Sequence, residues 1–376
     1  MNIIQGSKTL VYDLGVSTVQ FGFAGDFQPT FNVNSAAFQS EGKIRFGRDF
    51  PYDTCKDLQV SNLFKDGDHT IDTDLFQEFM NWSYSSLNVE PREYTVLFSQ
   101  PVYLANKPSA LNNYRKTLCE ILFETGSHPG ICLEYDAVLS CYAHMKSTAL
   151  VIDAGWYKTR VVPVVDGKPL VGSIVSDVIG ANNIISHYAK STQGMNRALQ
   201  RQPYMSDSQY KYNQMIELER IMESTLTFET SGDPSRTTYF YSNTDYVSFD
   251  HVSKTVYEYV WAKSTEKSSP LPMAISSTIN STPADVRRQL WKNIILSGGL
   301  SKVHGFRSSV EHYLAAKKPD GYSVMVLPPM HGMLSGPLAP WTGGSIVGSL
   351  DTFSEMCITS EEYNEYGIQI LERASH

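Results

Sequence analysis

The sequence predicts an α/β protein of two domains that face each other across a cleft, and three observations carry that prediction. The 376 residues exceed what one hydrophobic core usually organises. Strand-like and helix-like stretches alternate along most of the chain. One short pattern, an apolar strand ending in Asp, a spacer and Gly, occurs twice, once near the start of each half-chain.

In chain order, the first copy of the pattern is Leu10-Val11-Tyr12-Asp13-Leu14-Gly15, followed by a β-rich run from Val19 to Phe23. Tyr94 to Phe98 reads as a strand, Asn106 to Phe123 as an amphipathic helix, and Asp136 to Met145 as a helix leading into the second copy. That copy is Leu150-Val151-Ile152-Asp153-Ala154-Gly155, with a second β run from Thr159 to Val165. Each copy therefore reads as strand, Asp-bearing turn, strand. Ser206 to Thr227 has helical composition, and Asp285 to Trp291 starts a further helix. Between them, the polar stretch Lys263 to Leu271 is a surface loop. Asn293 to Ser297 is a strand that runs into Gly298-Gly299 and then a helix-like stretch from Phe306 to Ala316.

Composition excludes several classes. With 41% hydrophobic and 19% charged residues the chain is expected to be a soluble globular protein. A net charge of −8 argues against direct nucleic-acid binding, which needs a concentrated basic face. The cysteines Cys55, Cys119, Cys132, Cys141 and Cys357 are scattered, without the close pairing of a zinc or redox motif. Met1 to Lys8 lacks the pattern of a signal peptide, and no apolar run reaches the roughly 18 to 20 residues that span a bilayer. The expected location is the cytoplasm, with the nucleus as the alternative, and no membrane partner is expected.

The chemistry of the repeated turn is specific. A Gly-containing turn directs backbone N–H groups inward and lets phosphate approach. An Asp at the strand end, here Asp13 and Asp153, can hold a hydrated magnesium ion, which keeps most of its waters. D-x-G alone is a common turn; two copies with matching apolar approaches point to two loops gripping phosphates from both sides. Gly298-Gly299, placed after a strand and before a helix, would let a base or a phosphate lie close to the backbone.

These blocks resemble the actin family, over about Val11 to Gly367. Phe21-Gly22-Phe23-Ala24-Gly25-Asp26 is similar to the signature after the family's first phosphate loop, and Ala137 to Ala143 to the helix before the second. Ile295-Leu296-Ser297-Gly298-Gly299 is similar to the adenosine-site strand. Trp341 to Ile346 and Ser360 to Tyr363 are similar to the closing helix and tail. The resemblance implies the two-domain fold that actin shares with sugar kinases and chaperone ATPases, a ribonuclease-H-like architecture with an interdomain nucleotide cleft. Domain I would be residues 1–136 plus 338–376, with a small outer subdomain near 30–60, and domain II residues 137–337. The implied cofactor is ATP or ADP with magnesium, and a nucleotide-free cleft stays open as the alternative. The implied contacts are Asp13, Gly15, Ser17, Asp153, Gly155, Lys158, Gly180, Gly298 and Gly299, with Asp13 and Asp153 reaching the metal through water.

Several positions depart from the family. Val16 replaces a hydroxyl in the first loop, though Ser17 follows, and Gln20 replaces the lysine that contacts phosphate. The second loop reads Trp156-Tyr157-Lys158, two rings where glycine normally permits close approach. Lys158 is the candidate to restore the lost charge. Asp136 takes the place of a glutamine and Arg160 that of a histidine, both associated with water activation; losing such a group slows hydrolysis. Asp136 is the candidate catalytic residue, with capping of its helix as the plainer role. Gly180-Ala181-Asn182 stands where the family has Gly-Arg-Asp, and Lys302 and Val303 replace residues beside the base. From Asp26 to Gly47 the connection is about ten residues shorter than in actin, where a flexible loop docks the filament neighbour. Met330 to Pro340 is longer than its counterpart.

The expected function is a scaffold subunit of a multiprotein assembly, with weak or absent hydrolysis, partnered by other actin-family proteins and larger subunits. That assembly is either cytoskeletal, at a dynactin-like filament end, or a chromatin-remodelling complex. Ordinary actin-like homofilaments are not expected. The alternative is an ATP-hydrolysing, filament-forming protein. A small-molecule kinase on the same fold lacks a recognisable catalytic carboxylate.

Overall fold

The seven residues Tyr94–Gln100 are buried throughout, as a strand with neighbours on both edges and layers on both faces must be. They lie inside a six-stranded sheet ordered Ile358–Thr359, Gly130–Tyr135, Tyr94–Gln100, Lys8–Leu14, Thr18–Phe23, Phe31–Asn34. The inner three strands are parallel and the outer pairings antiparallel. A second sheet is built on Ala149–Ala154, which is antiparallel to Lys158–Val165 and parallel to Ile294–Ser297; Lys168–Pro169 and Val175–Ile179 extend it. The computed structural model describes residues 8–47, 57–65, 70–191, 201, 203–228, 237–240, 246–261, 270–328 and 336–373. Residues 263–269 of the polar stretch, residues 330–335 and Cys55 lie outside the described residues, while Leu271, the end of the expected surface loop, is buried and begins helix Leu271–Ser281 instead.

Each sheet has its own core. The first gathers apolar side chains from 10–131 and 358–371, with Tyr12, Phe21, Phe76, Phe79 and Phe98 at its centre. The second draws on 150–326, around Tyr188, Phe228, Phe249 and Phe306. Helix Thr73–Leu87 shows how sequence delivers such a layer. Asp72 caps its start by accepting from Leu75 N, Asn88 ends it in a left-handed conformation, and Phe76, Phe79, Met80 and Leu87 fill the buried face.

Two helices connect the lobes, Asp136–Ala143 and Ala339–Gly348, and they pack directly on each other. The approach is close enough to require glycine: a Cβ at Gly343 would lie 1.8 Å from the Leu139 carbonyl oxygen. The helix expected from Asn106 to Phe123 is divided instead. A 3-10 turn, Val102–Asn106, precedes helix Pro108–Cys119, because proline suits the first helical position, where its missing N–H costs nothing. A π-helical turn, Glu120–Thr125, then buries Ile121, Leu122 and Phe123 in succession, which a regular helix face does not. No helix among the described residues is long and apolar enough to cross a membrane.

The small outer part of the first lobe is a three-stranded sheet, with Ala36–Ser40 between Lys43–Arg45 and Gln59–Asn62. Ser40 pairs with Lys43, so Glu41 and Gly42 alone turn the chain, both with positive φ. The second lobe reaches this sheet through the long helix Asp207–Thr225, which Ser206 caps. Val60 N donates to Ser208 Oγ at 2.9 Å, and Ser206 Oγ donates to the Leu58 carbonyl. Asn34 Nδ2 donates to Tyr212 OH at 2.6 Å. Tyr212 also packs on the small cluster of Ala36, Phe38 and Leu58. The outer ends of the two lobes are thus clasped together.

Candidate functional site

The two Asp-tipped hairpins have one register. Asp13 opposes Gln20 in the first, and Asp153 opposes Arg160 in the second. Each Asp-bearing strand also has a parallel neighbour with a serine at that level: Ser99 donates to Asp13 Oδ1, whereas Ser297, the register partner of Asp153, donates to the Gly336 carbonyl. The repeat seen in the sequence is therefore a repeat of sheet topology.

Both tips face one cavity of about 640 Å³ between the lobes. Asp13, Gly15, Ser17, Asp136, Asp153, Gly155, Gly298 and Gly299 line it. Lys158 and Gly180 are not among the lining residues. Lys158 starts its strand opposite Ile179, and the cation that this strand supplies to the cleft is Arg160. Gly180 serves packing: a Cβ there would lie 2.4 Å from the carbonyl carbon of Tyr157, so glycine lets the second tip cross close above it.

The first tip is arranged to present backbone donors. The carbonyls of Gly15, Val16 and Ser17 accept from Ser35 Oγ, Asn62 Nδ2 and Ser35 N at 2.7, 3.2 and 3.0 Å. In trans peptides the following N–H groups, of Val16, Ser17 and Thr18, point the other way. At the second tip the carbonyls of Gly155 and Trp156 accept from Ala181 N and Asn182 N, at the start of helix Ala181–Ser191. The two rings of this tip divide between the lobes: Trp156 packs against the second core and Tyr157 against the first. Tyr157 is thereby a wedge that spans the cleft.

Below the tips, Arg160 Nη1 donates to Asp153 Oδ2 at 3.0 Å. The guanidinium carbon also lies 4.4 Å from the ring centre of Tyr103, a first-lobe residue, in a cation–π contact. Asp136 Oδ1 accepts from Val102 N at 3.1 Å and Ala137 N at 2.7 Å. Burial first, and then the charge of Asp153, push the Asp136 carboxyl up to about 7, against Arg160 and those two N–H groups. Asp13 is pushed to about 6 by burial, with the Ser99 hydrogen bond opposing and Asp153 adding to the rise. Gln20 is 4% exposed, and its Nε2 donates to the Pro337 carbonyl at 3.2 Å, so a neutral amide closes the position opposite Asp13.

The residues fit a nucleotide better than they fit its metal. Around Gly299 nothing lies within 4 Å of where a Cβ would be, which leaves room for a planar group against the backbone, and the first tip supplies donors for phosphate. At Asp153 the guanidinium of Arg160 already holds one carboxylate oxygen, Oδ2, and so competes there with a hydrated divalent ion. Sequence reasoning missed Tyr103, the interlobe reach of Tyr157 and the clasp at Tyr212. The register shared by Asp13/Gln20 and Asp153/Arg160 was the signal that would have exposed the ion pair.

Among known families, the family model described as Actin matches residues 4–251 and 212–376, two overlapping stretches that together run from residue 4 to the last residue given.

Proposed function

Because the chain belongs to the actin family and has its two-domain α/β fold, we propose that it is a structural subunit of a larger protein assembly in which nucleotide hydrolysis is weak or lost. The observation that carries this reading is the ion pair of Arg160 with Asp153 at 3.0 Å. By resemblance to the family, Arg160 and Asp136 occupy the two positions that handle the attacking water. Here one is committed to a carboxylate and the other accepts two backbone N–H groups. Orienting a water for attack on phosphate requires a group held for that purpose.

Two further features support the reading. The clasp of Tyr212 and Ser208 on the outer sheet opposes the opening through which nucleotide exchanges. The two-residue turn Glu41–Gly42 stands in the shortened connection, so this edge offers a filament neighbour a tight hairpin rather than a long loop. In this reading the partners are other actin-family proteins and larger assembly subunits. The protein resides in the cytoplasm at the end of a short filament, with a chromatin-remodelling complex as the second assembly. Any resident nucleotide is ATP or ADP.

The test uses the full-length protein beside conventional actin. Phosphate release from ATP at background level, no sedimentable homopolymer in polymerising salt, and stoichiometric copurification with other subunits from its source are expected. Actin-like phosphate release with sedimentable polymer would overturn the reading in favour of an ATP-hydrolysing filament protein.

A further inference from the structure

We propose that Arg160 is a resident cation of the cleft, which takes at Asp153 the part of a divalent metal ion, so that Asp153 holds neither magnesium nor manganese. The guanidinium is fixed from two sides. Its Nη1 is 3.0 Å from Asp153 Oδ2, its face lies 4.4 Å from the centre of the Tyr103 ring, and the side chain is only 11% exposed. It also lies within electrostatic reach of Asp136. A bound ion would neutralise carboxylates from both sides of the cleft and tie the lobes together. Arg160 pairs with Asp153 and spans the lobes: it belongs to the second sheet, while Tyr103 packs against the first core.

Geometry and charge both act against a second cation. Magnesium gives up its waters reluctantly and needs space for its shell beside the carboxylate. On the Oδ2 side of Asp153 that space holds the guanidinium, and an added ion would face its positive charge in a poorly screened site. The corresponding position of the first hairpin, Gln20, is neutral and engaged with Pro337, so the hairpin pair supplies its positive charge from one side only.

This inference stands apart from the scaffold reading: metal exclusion follows from the occupancy of Asp153 whether or not phosphate is released. The experiment is a manganese titration of the nucleotide-free full-length protein, followed by the EPR signal of free Mn²⁺, with thermal melting in magnesium and in EDTA alongside. The wild type is expected to bind no stoichiometric manganese at submillimolar concentrations and to melt at the same temperature in both buffers. Arg160→Gln is expected to melt lower, to recover in magnesium, and to bind manganese about tenfold or more tightly than the wild type. Asp153→Asn in that background should abolish the gain. Arg160→Lys keeps a cation and should still exclude the metal. A stoichiometric manganese site in the wild type that disappears in Asp153→Asn overturns the proposal, as does a folded Arg160→Gln that gains none. Should Arg160→Gln fail to fold, the titrations of the wild type and Arg160→Lys decide the matter in the same way. Phosphate release, measured separately, bears only on the scaffold reading.

Discussion

Tyr212, on the long helix of the second lobe, meets Phe38 of the first lobe edge-on, with ring centres 5.2 Å apart. Such a pair, with the 2.6 Å hydrogen bond from Asn34, is worth roughly 2 kcal/mol beyond simple burial. Tyr212→Ala is expected to lower the melting temperature and to open the mouth of the cleft, read as a larger radius of gyration in small-angle scattering. Tyr212→Phe keeps the ring and should lose only about 1 kcal/mol. An unchanged scattering profile in Tyr212→Ala would show that the clasp does not hold the lobes.

The wedge at the second tip makes a separate prediction. Tyr157→Gly frees space at the phosphate end, and ATP binding by calorimetry is expected to tighten by about tenfold in the absence of metal. Trp156→Gly removes a ring packed on the second core, so it is expected to destabilise the protein instead. Equal effects from the two substitutions would refute the division of labour between the rings.

Acid sensitivity has a traceable source in His128. Its Nδ1–H donates to the Tyr94 carbonyl at 2.8 Å, and Nε2 accepts from Tyr84 OH at 2.7 Å, which fixes the neutral ring. Burial lowers its pKa to about 4, against backbone hydrogen bonds that favour the charged form. In the unfolded chain the ring titrates near 6.5. As pH falls from about 6.5 towards 4, the unfolded state takes the proton first and stability is lost; above that window the group has no effect. The loss from this residue approaches about 3 kcal/mol at the acid end. Buried carboxyls with raised pKa values, Asp13, Glu134 and Asp136, act in the opposite sense. The test is therefore the difference in urea stability between the wild type and His128→Gln, at pH 7 and at pH 4.5; a constant difference would remove His128 as the cause.

Two glycines should respond in opposite ways. Gly343→Ala places a methyl group where the Leu139 carbonyl already is, so the loss should exceed the roughly 1–3 kcal/mol of ordinary overpacking. Gly299→Ala faces open space and should leave the melting temperature unchanged, while nucleotide affinity falls. Calorimetry on both variants checks the pair.

What the sequence disclosed was local or periodic. The two Asp-tipped hairpins follow from apolar runs that end in a turn residue, and helix Asp207–Thr225 begins where Ser206 can cap it. The family blocks added the fold. What it hid depends on contacts between distant residues. Asn34 and Tyr212 are 178 positions apart, and no propensity or spacing joins them. Lys158 looked like the natural replacement for a missing charge because it is nearest the tip, yet Arg160, two residues on, is the one aimed at a carboxylate. Charge can be counted along a chain, but its partner appears only once strands are paired.

The identical register of the twin hairpins gives the exchange at their floors a further meaning. By resemblance to the family, a lysine has gone from Gln20 and an arginine has arrived at Arg160, and these are matching steps of two copies of one motif. At this step of the motif only the second hairpin carries a positive side chain. Gln20→Lys alone would therefore leave the second hairpin unchanged, with Asp153 still held by Arg160 of its own hairpin.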